Sequence, residues 1–312
     1  MTKLRAPRNR TLQLTDVDRK RLQTRIHTVI PAAPPTAAIC RGDSFQLAGQ
    51  ASRGSVDLLI LDPPYNRAKR FRGAKFSRLP VDEYAGYIER MLVAWLPALK
   101  STASIYLCGD WHSSVSIYAA AAKYLQIRNR ITWEREKGRG ARGNWKNASE
   151  DIWFCTVSDT YHFDADAVKV RRKVMAPYTQ NGAPKDWDAS AAGRFRDTHP
   201  SNLWNDITIP FWSMPENTEH PTQKSEKWAA KLILASSRPG DLIVDPFMGS
   251  GSVPVTAIKL GRRALGIEME HEYCLLALRR LELAAQDAKI QGISGGVFWE
   301  RNTLALQQRE EK

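Results

Sequence analysis

The residues best suited to chemistry in this sequence are Asp62-Pro63-Pro64-Tyr65, which directly follow the apolar run 56–61. Such a run predicts a short strand buried on both faces of a parallel sheet. The two prolines end its pairing and fix the backbone carbonyls of Asp62 and Pro63. A carboxylate, carbonyl oxygens and an aromatic ring are thereby presented at the carboxyl end of a strand, where open α/β sheets bind ligands. Taken alone, the four residues equally fit a plain turn that ends a strand.

A second candidate site is the segment Asp245-Pro246-Phe247-Met248-Gly249-Ser250-Gly251, which follows another short apolar run. Gly249 and Gly251 lack side chains, so we expect backbone N–H groups of this segment to reach a ligand at the start of a helix. The segment matches neither the Walker phosphate loop nor the G-x-G-x-x-G dinucleotide loop. About twenty residues later Glu268 ends a further strand-like run, where an acid suits ribose hydroxyl groups. A tight turn followed by an incidental glutamate is the alternative.

Alternating strands and helices must hold these two segments. The apolar pattern predicts strands at 37–40, 56–61, 102–108, 127–133, 151–157, 242–244 and 264–267. It predicts helices at 15–29, 44–53, 81–97, 113–125, 223–236, 253–261 and 271–286. This order indicates an α/β fold with a doubly wound, mostly parallel, Rossmann-like sheet.

The alternation stops between about 160 and 216, where the sequence is polar, aromatic and irregular. Long irregular insertions in compact domains are usually functional, and this one has the composition of a recognition surface. We therefore divide the chain into a mobile basic arm with a proline-rich linker (1–35), a first half of the main domain (36–159), a recognition region (160–216), a second half (217–299) and a charged tail (300–312).

The charge balance indicates a polyanionic partner. The formal net charge is +13 and the pI about 9.7, which most often accompanies nucleic-acid binding, although a basic surface that serves only solubility is the alternative. Residues 67–78 interleave cations with two phenylalanines and predict a loop over the site, whereas the glycine-rich segment 133–147 predicts a flexible hairpin tip. The candidate DNA contacts are Arg67, Lys69, Arg70, Arg72, Lys137, Arg139, Arg142, Lys146, Arg171, Arg172 and Lys173.

Cysteine usage and hydropathy limit the cellular setting. The four cysteines are far apart and show no C-x-x-C pairing, so they predict neither a zinc site nor a disulfide framework. The start of the chain lacks the apolar core of a signal peptide, and no apolar run approaches membrane-spanning length. We expect a cytoplasmic protein that uses no metal and has no membrane partner.

Three motifs in this order resemble the β class of S-adenosylmethionine-dependent DNA amino-methyltransferases. They are Asp62-Pro63-Pro64-Tyr65, His220-Pro221-Thr222-Gln223-Lys224 and the segment from Asp245 to Gly251, and the resemblance covers roughly residues 36–283. In this circularly permuted class the catalytic motif precedes the glycine loop, and the target-recognition region lies between them. Ser225 stands where the family usually has proline, and Ser252 where threonine is common. Neither departure removes a catalytic group.

The resemblance implies duplex DNA as substrate, S-adenosylmethionine as methyl donor and S-adenosylhomocysteine as product. It implies that Asp62, Pro63, Pro64 and Tyr65 are catalytic. The Asp62 carboxylate and a neighbouring carbonyl would accept N–H bonds from an exocyclic amino group, and Tyr65 would stack on a base flipped out of the duplex. The residues implied at the donor site are Asp43, His220, Thr222, Gln223, Lys224, Asp245, Phe247, Gly249, Ser250, Gly251 and Glu268. For His220 a purely structural hydrogen bond at a helix entry is left open.

The resemblance favours adenine N6 over cytosine N4 as the target, because cytosine-N4 enzymes more often carry serine at the position of Asp62. The motif order and the long basic insertion argue against an RNA or protein-glutamine methyltransferase. Intact Asp62 and an intact glycine loop argue against a non-catalytic DNA-binding protein. The recognition sequence, a homodimer and a cognate restriction endonuclease are left open. We expect the protein at the nucleoid of a prokaryote, encoded by the cell or by a phage.

Overall fold

The computed structural model describes residues 6–32, 35–67, 69–71, 74–139, 143–175, 178–190 and 193–310. Its helices are α1 (Asp16–Leu22), α2 (Ser44–Ala48), α3 (Val81–Trp95), α4 (Trp111–Ala121), α5 (Glu226–Ser236), α6 (Ser252–Lys259), α7 (His271–Gln286) and α8 (Leu304–Glu310). Its strands are β1 (Ala37–Arg41), β2 (Val56–Leu61), β3 (Lys69–Phe71), β4 (Ala74–Phe76), β5 (Leu99–Gly109), β6 (Gln126–Arg139), β7 (Asn147–Thr156), β8 (Val170–Lys173), β9 (Thr179–Gln180), β10 (Ala183–Pro184), β11 (Asp188–Ser190), β12 (Gly193–Thr198), β13 (Leu203–Trp204), β14 (Leu242–Asp245), β15 (Arg263–Glu268), β16 (Ile293–Ser294) and β17 (Val297–Trp299). Within the described ranges, none of the helices is long and apolar enough to span a membrane.

The centre of the fold is an eight-stranded sheet with the order β1-β15-β14-β2-β5-β7-β6-β13. Neighbouring strands from β1 to β5 are parallel, whereas β7 runs antiparallel to both β5 and β6. The predicted mostly parallel α/β sheet is confirmed, and β2 and α7 have the predicted bounds. Because β7 is antiparallel, it begins at the edge where β2 and β5 end. That reversal brings the first residues of β7 to the carboxyl edge of the sheet.

Helices cover both faces of the sheet. On one face α3 and α4 pack over β2 and β5 through fully buried side chains such as Tyr84, Met91 and Trp95. On the other face α5 and α6 pack through Trp228 and Val253. Burial of an apolar side chain of this size contributes about 1.5–3 kcal/mol, so the carboxyl edge of β2 is held from both sides.

The N-terminal segment differs from the mobile arm predicted for residues 1–34. Over residues 6–32 the chain lies on the domain, and Leu22 is fully buried against α7. Helix α1 is shorter than the predicted helix at 15–29 and continues as a 3-10 turn, Gln23–Arg25. Arg19 pairs with Glu272 at 2.8 Å, and Arg21 contacts Glu282. Arg19 and Arg21 therefore have acidic partners on α7, which no local pattern can reveal.

The region 160–216, predicted to be irregular, contributes to a second sheet with the order β11-β12-β8-β17-β16. Its strand β8 is flanked by β12 and by β17, which comes from the far end of the chain and runs parallel to β8. Phe298 and Trp299 of β17 are buried. Helix α8 lies within the predicted charged tail. Strand pairing between segments so distant in sequence leaves no periodic signal in either of them.

Candidate active site

Four strands bring the candidate residues to one edge of the main sheet. Asp62 follows β2, Asp245 ends β14 and Glu268 ends β15, all at carboxyl ends of parallel strands. Glu150 lies in the first half of β7, which starts at this edge. The two segments that the sequence analysis singled out are therefore neighbours in space.

Asp62 is held by two side chains. Its Oδ2 accepts a hydrogen bond from Lys224 Nζ at 2.7 Å, and its Oδ1 accepts one from the Tyr65 hydroxyl at 2.8 Å. About a fifth of the Asp62 side chain remains exposed (21%), against 11% for Lys224. The carboxylate is thus fixed in direction but still faces the cleft.

The turn after Asp62 is braced from two directions. The Tyr84 hydroxyl donates to the Pro64 carbonyl at 2.9 Å. The Asn66 side chain exchanges two hydrogen bonds with the backbone of Leu79, at 2.8 and 2.9 Å, which closes the base of the loop between them. These bonds, together with the fixed φ of the prolines, hold Tyr65 beside Asp62.

Glu150 is a site residue that the sequence analysis missed. Its side chain is 6% exposed, its Oε2 lies 2.9 Å from the Tyr65 hydroxyl and 3.3 Å from Lys224 Nζ, and its Oε1 contacts Arg135. Burial alone would raise the pKa of Glu150, but Lys224 and Arg135 outweigh it, so the pKa lies below its ordinary value. The sequence does contain an acid pair, Glu150-Asp151, near the start of a strand. No neighbouring residue, however, indicates which side chains Glu150 contacts.

Lys224 and Tyr65 complete this cluster. Burial lowers the pKa of Lys224, but Asp62 and Glu150 outweigh burial and raise it above the ordinary value. Burial, followed by the charges of Asp62 and Glu150, raises the pKa of Tyr65, so its phenol stays neutral. The Lys224 ammonium also stands over the Tyr65 ring, 5.3 Å from the centroid. Asp62, Tyr65, Glu150 and Lys224 therefore form one charge-balanced group, with Arg135 as the second cation.

The two glycines of the loop are closely packed against neighbouring side chains. Gly249 has φ +54°, and a Cβ there would meet His220 Nε2 at 2.8 Å; Gly251 has φ +84°, and a Cβ there would meet the Ala277 Cβ at 2.6 Å. The N–H of Gly249 donates to Glu268 Oε2 at 3.1 Å, and that of Gly251 to the Met248 carbonyl at 2.8 Å. These two N–H groups are engaged inside the protein, and contact between a ligand and other backbone N–H groups of the loop stays a prediction.

A cleft of about 340 Å³, part of it open to solvent, lies between Asp62 and the loop that follows β14. Ser250 Oγ is buried and has no hydrogen-bond partner among the described atoms. Burial raises the pKa of Asp245 well above its ordinary value, and its Oδ1 accepts the Phe247 N–H at 3.0 Å. The cleft is lined by Asp62, His220, Thr222, Gln223, Lys224, Trp228, Asp245, Phe247, Met248, Gly249, Ser250, Ser252 and Val253. An aromatic ring beside buried polar groups suits a ligand that has both apolar and polar parts.

Comparison with known proteins decides the family. A family model described as DNA methylase, covering N6 and N4 methyltransferases, matches residues 56–279. The chain is 31% identical over 255 residues to the DNA adenine methyltransferase YhdJ of Escherichia coli (strain K12), a match that spans 79% of this chain and 83% of that protein. The chain belongs to the DNA methylase family.

Solved structures show that the methyltransferase has the family's fold. The PvuII DNA methyltransferase (cytosine-N4-specific) matches with a TM-score of 0.58 at 16% identity, over 89% of this chain and 95% of that one. The M1.HpyAVI-SAM complex matches with a TM-score of 0.55 at 19% identity, over 78% of this chain and 98% of that one. At these identities the likeness concerns architecture alone.

The remaining donor-site candidates of the methyltransferase divide into two groups. Asp43 caps α2 by accepting the Phe45 N–H at 2.7 Å, and the Glu268 carboxylate, near it at the edge, accepts the N–H of Glu270 at 2.8 Å. Gln223 does not offer its amide to the cleft, because the amide bonds to Thr218 and to the Glu216 carbonyl. His220 accepts the Thr222 N–H at 3.4 Å and packs edge-on against Tyr273. Gln223 and His220 thus brace the loop that carries Lys224.

The predicted DNA contacts of the methyltransferase lie in three places. Lys69 and Arg70 are on β3, which pairs with β4 as a hairpin where the sequence analysis expected a loop, and Arg67 beside it contacts Asp110. Lys137 and Arg139 are on β6, which forms a hairpin with β7. Lys146 is exposed near the tip of this β6–β7 hairpin, next to Trp145, which is 92% exposed. Arg72 and Arg142 lie outside the described residues.

The third place is β8, where Arg171 and Arg172 each have an acidic partner. Arg171 forms two bonds with Asp197, at 2.8 and 2.9 Å, and stands over the Trp299 ring. Arg172 lies 3.8 Å from Glu300, whose carboxylate also accepts the Lys173 N–H at 3.4 Å. These acids compensate the charge of two arginines that were predicted to bind phosphate, and DNA contact by the predicted cations stays a prediction.

Proposed function

We propose that this protein is a site-specific DNA methyltransferase that transfers a methyl group from S-adenosylmethionine to the exocyclic amino group of a flipped base, with adenine N6 as the favoured acceptor. The observation that carries the proposal is the position of Asp62, which lines the same cleft as Asp245, Phe247 and Ser250 of the glycine loop. An acceptor for N–H groups and a pocket for a second ligand thus meet within one cleft.

Asp62 would act on the nucleophile. The lone pair of an exocyclic amino group is delocalised into the base, which makes the nitrogen a poor nucleophile. A hydrogen bond from this amino group to Asp62, and a second to the Pro63 carbonyl, would direct the lone pair towards the incoming methyl group and stabilise the positive charge that develops on nitrogen. The carboxylate is also positioned to receive the proton that the nitrogen must lose.

Tyr65 would hold the base. Its hydroxyl bonds to Asp62 and Glu150, so the ring has a fixed orientation beside the carboxylate. A base that stacks on this ring presents its edge to Asp62, and rate would be gained by positioning.

The donor would lie against the Asp245–Gly251 loop, where it supplies an electrophilic methyl group on sulfur. Ser250 Oγ offers a buried hydrogen-bonding group that has no partner among the described atoms, and Phe247 offers an apolar wall. Glu268 accepts N–H bonds from Gly249 and Glu270. Carboxylate oxygens have further lone pairs, so ribose hydroxyl groups can still bond to it. These residues fit an adenosyl donor.

The target base is the finer question. Asp62 leads the catalytic motif, and the relative that is 31% identical is named a DNA adenine methyltransferase. Both observations favour adenine N6. Cytosine N4 is the alternative, since the same geometry serves either amino group.

One experiment tests the activity and the base together. Purified protein is incubated with S-adenosylmethionine and unmethylated plasmid DNA, and the nucleosides are then analysed by mass spectrometry. We expect N6-methyladenine. N4-methylcytosine would replace the favoured base with the alternative, and unmodified nucleosides across DNA of varied sequence would refute the activity.

A further inference from the structure

Lys224 occupies the position that the proposed function gives to the amino group of the base. Its Nζ donates to Asp62 at 2.7 Å and stands 5.3 Å from the centroid of the Tyr65 ring. A base that bonds to Asp62 and stacks on Tyr65 needs the same two surfaces. The ammonium and the base therefore compete for Asp62.

A fixed ammonium beside Asp62 also opposes the reaction electrostatically. Methyl transfer builds positive charge on the amino nitrogen, and Asp62 can stabilise it only with negative charge that is not already compensated. With Lys224 in contact, a second positive charge lies within a few ångströms of the reacting nitrogen and repels it. The reaction is favoured when Lys224 has withdrawn from Asp62.

Glu150 supplies a second carboxylate within reach of Lys224. Its Oε2 lies 3.3 Å from Nζ, farther than Asp62 Oδ2 at 2.7 Å. Glu150 is itself fixed by Arg135 and by the Tyr65 hydroxyl. A buried ammonium needs a compensating anion, and Glu150 supplies one without Lys224 having to reach solvent.

We propose that Lys224 holds Asp62 before the base enters and transfers to Glu150 when the base binds, which makes Glu150 a positioning residue for methyl transfer. The inference rests on the proposed function, because it takes Asp62 as the acceptor of the base amino group. Lys224 then has two positions. It bonds to Asp62 when the base site is empty, and it bonds to Glu150 during the reaction.

Four proteins test this exchange: the wild type, Glu150→Gln, Lys224→Met and the double variant. Methyl transfer to unmethylated plasmid DNA of mixed sequence is measured at saturating donor, with kcat and KM for DNA determined separately. In Glu150→Gln the lysine keeps only Asp62 as a charged partner, so we expect kcat/KM to fall about 10- to 100-fold, the effect of one hydrogen bond to a charged group. In the double variant the competing ammonium is gone, and we expect it to be faster than Glu150→Gln.

A purely structural role for Glu150 predicts the opposite order, with the double variant as slow as Glu150→Gln or slower. Glu134→Gln is the matched control, because Glu134 lies on the adjacent strand β6 with 54% of its side chain exposed. Binding of S-adenosylhomocysteine and the thermal midpoint report on the donor pocket and on folding. If Glu150→Gln does not fold, Glu150→Ala, which also removes the carboxylate, takes its place in the same comparison.

The outcomes separate this inference from the proposed function. A wild type that does not methylate DNA overturns the proposed function and the inference with it. A wild type that methylates DNA overturns the inference alone if Glu150→Gln matches its rate, or if the double variant is no faster than Glu150→Gln.

Discussion

Gly249 and His220 are in such close contact that a methyl group on the Gly249 Cα would stand 2.8 Å from His220 Nε2. The glycine also has φ +54°, a conformation that side chains disfavour. We expect Gly249→Ala to weaken donor binding at least about tenfold, since even 1.4 kcal/mol of displacement or strain has that effect. Calorimetry with S-adenosylhomocysteine measures it. Gly261→Ala is the control, because Gly261 also has positive φ (+75°) but nothing within 4 Å of its added Cβ. Equal losses in both variants would assign the effect to backbone strain alone.

Asp62→Asn keeps the shape of the side chain but removes its charge. We expect methyl transfer to fall by about 100-fold or more, the usual effect of removing one electrostatic group that acts on the transition state. Donor binding and the thermal midpoint should change little, since Lys224 can still pair with Glu150 at 3.3 Å. Single-turnover rates measure the effect, with Asp82→Asn on the exposed first turn of α3 as control. A variant that loses donor binding instead would give Asp62 a structural role.

Trp145, at the tip of the β6–β7 hairpin, is 92% exposed and precedes Lys146. Truncation of so exposed a ring removes almost no packing, so we expect Trp145→Ala to leave the thermal midpoint unchanged. Stacking of an aromatic ring on a base is worth about 1–3 kcal/mol, so DNA binding should weaken by about 5- to 100-fold. Trp145→Phe should restore most of the affinity in a fluorescence anisotropy titration. Unchanged affinity in Trp145→Ala would remove the hairpin tip from the DNA interface.

Glu216 makes stability depend on pH. Burial, followed by the neighbouring Glu226, raises its pKa to about 7. A carboxyl with a raised folded-state pKa contributes stability that is present at pH 4.5 and is lost as the pH rises through 7, because the folded state binds more protons over that window. We expect Glu216→Gln and the wild type to differ little in free energy of unfolding at pH 5, and the variant to gain on the wild type by pH 8. Chemical unfolding at both pH values measures this, and a difference that does not change with pH would contradict it.

Asp206 compensates two buried ammonium groups, with Lys231 Nζ at 2.7 Å and Lys227 Nζ at 3.0 Å. Removal of the one anion leaves both cations buried, and such a loss costs about 3–5 kcal/mol. We expect Asp206→Asn to lower the free energy of unfolding by that amount. In the control Asp186→Asn, which breaks an exposed pair with Arg196, the change should stay within about 1 kcal/mol. Similar small effects in both variants would show that water reaches the ammonium groups of Lys227 and Lys231.

The parts of the site that lie in continuous segments could be predicted from the sequence. The apolar run before Asp62 and the run that ends at Asp245 each have a composition that specifies a buried strand, and parallel strands end at a common edge. Those two facts suffice to bring the Asp62 turn and the Gly249 loop together. The bounds of β2 and α7 could be predicted too, because each element is a continuous segment with a clear apolar pattern.

The parts that depend on long-range partners could not be predicted. Glu150 reaches Tyr65 only because β7 reverses direction, and nothing within several residues of Glu150 encodes that reversal. Arg171 was assigned to phosphate binding, yet its partner Asp197 becomes adjacent through the pairing of β8 with β12. The role of glycine in the loop was inferred from its missing side chain, whereas the helix that Gly251 contacts is set by tertiary packing.

The parallel pairing of β17 with β8 has a consequence for engineering. The stretch 160–216 is not a self-contained cassette, since its strand β8 shares a ladder with residues near the opposite end of the chain. A graft of that stretch alone onto a relative would leave β8 without its partner strand β17, which carries Phe298 and Trp299. The unit that could be moved with its strand pairing intact is discontinuous, and it includes residues 290–299 along with the insertion.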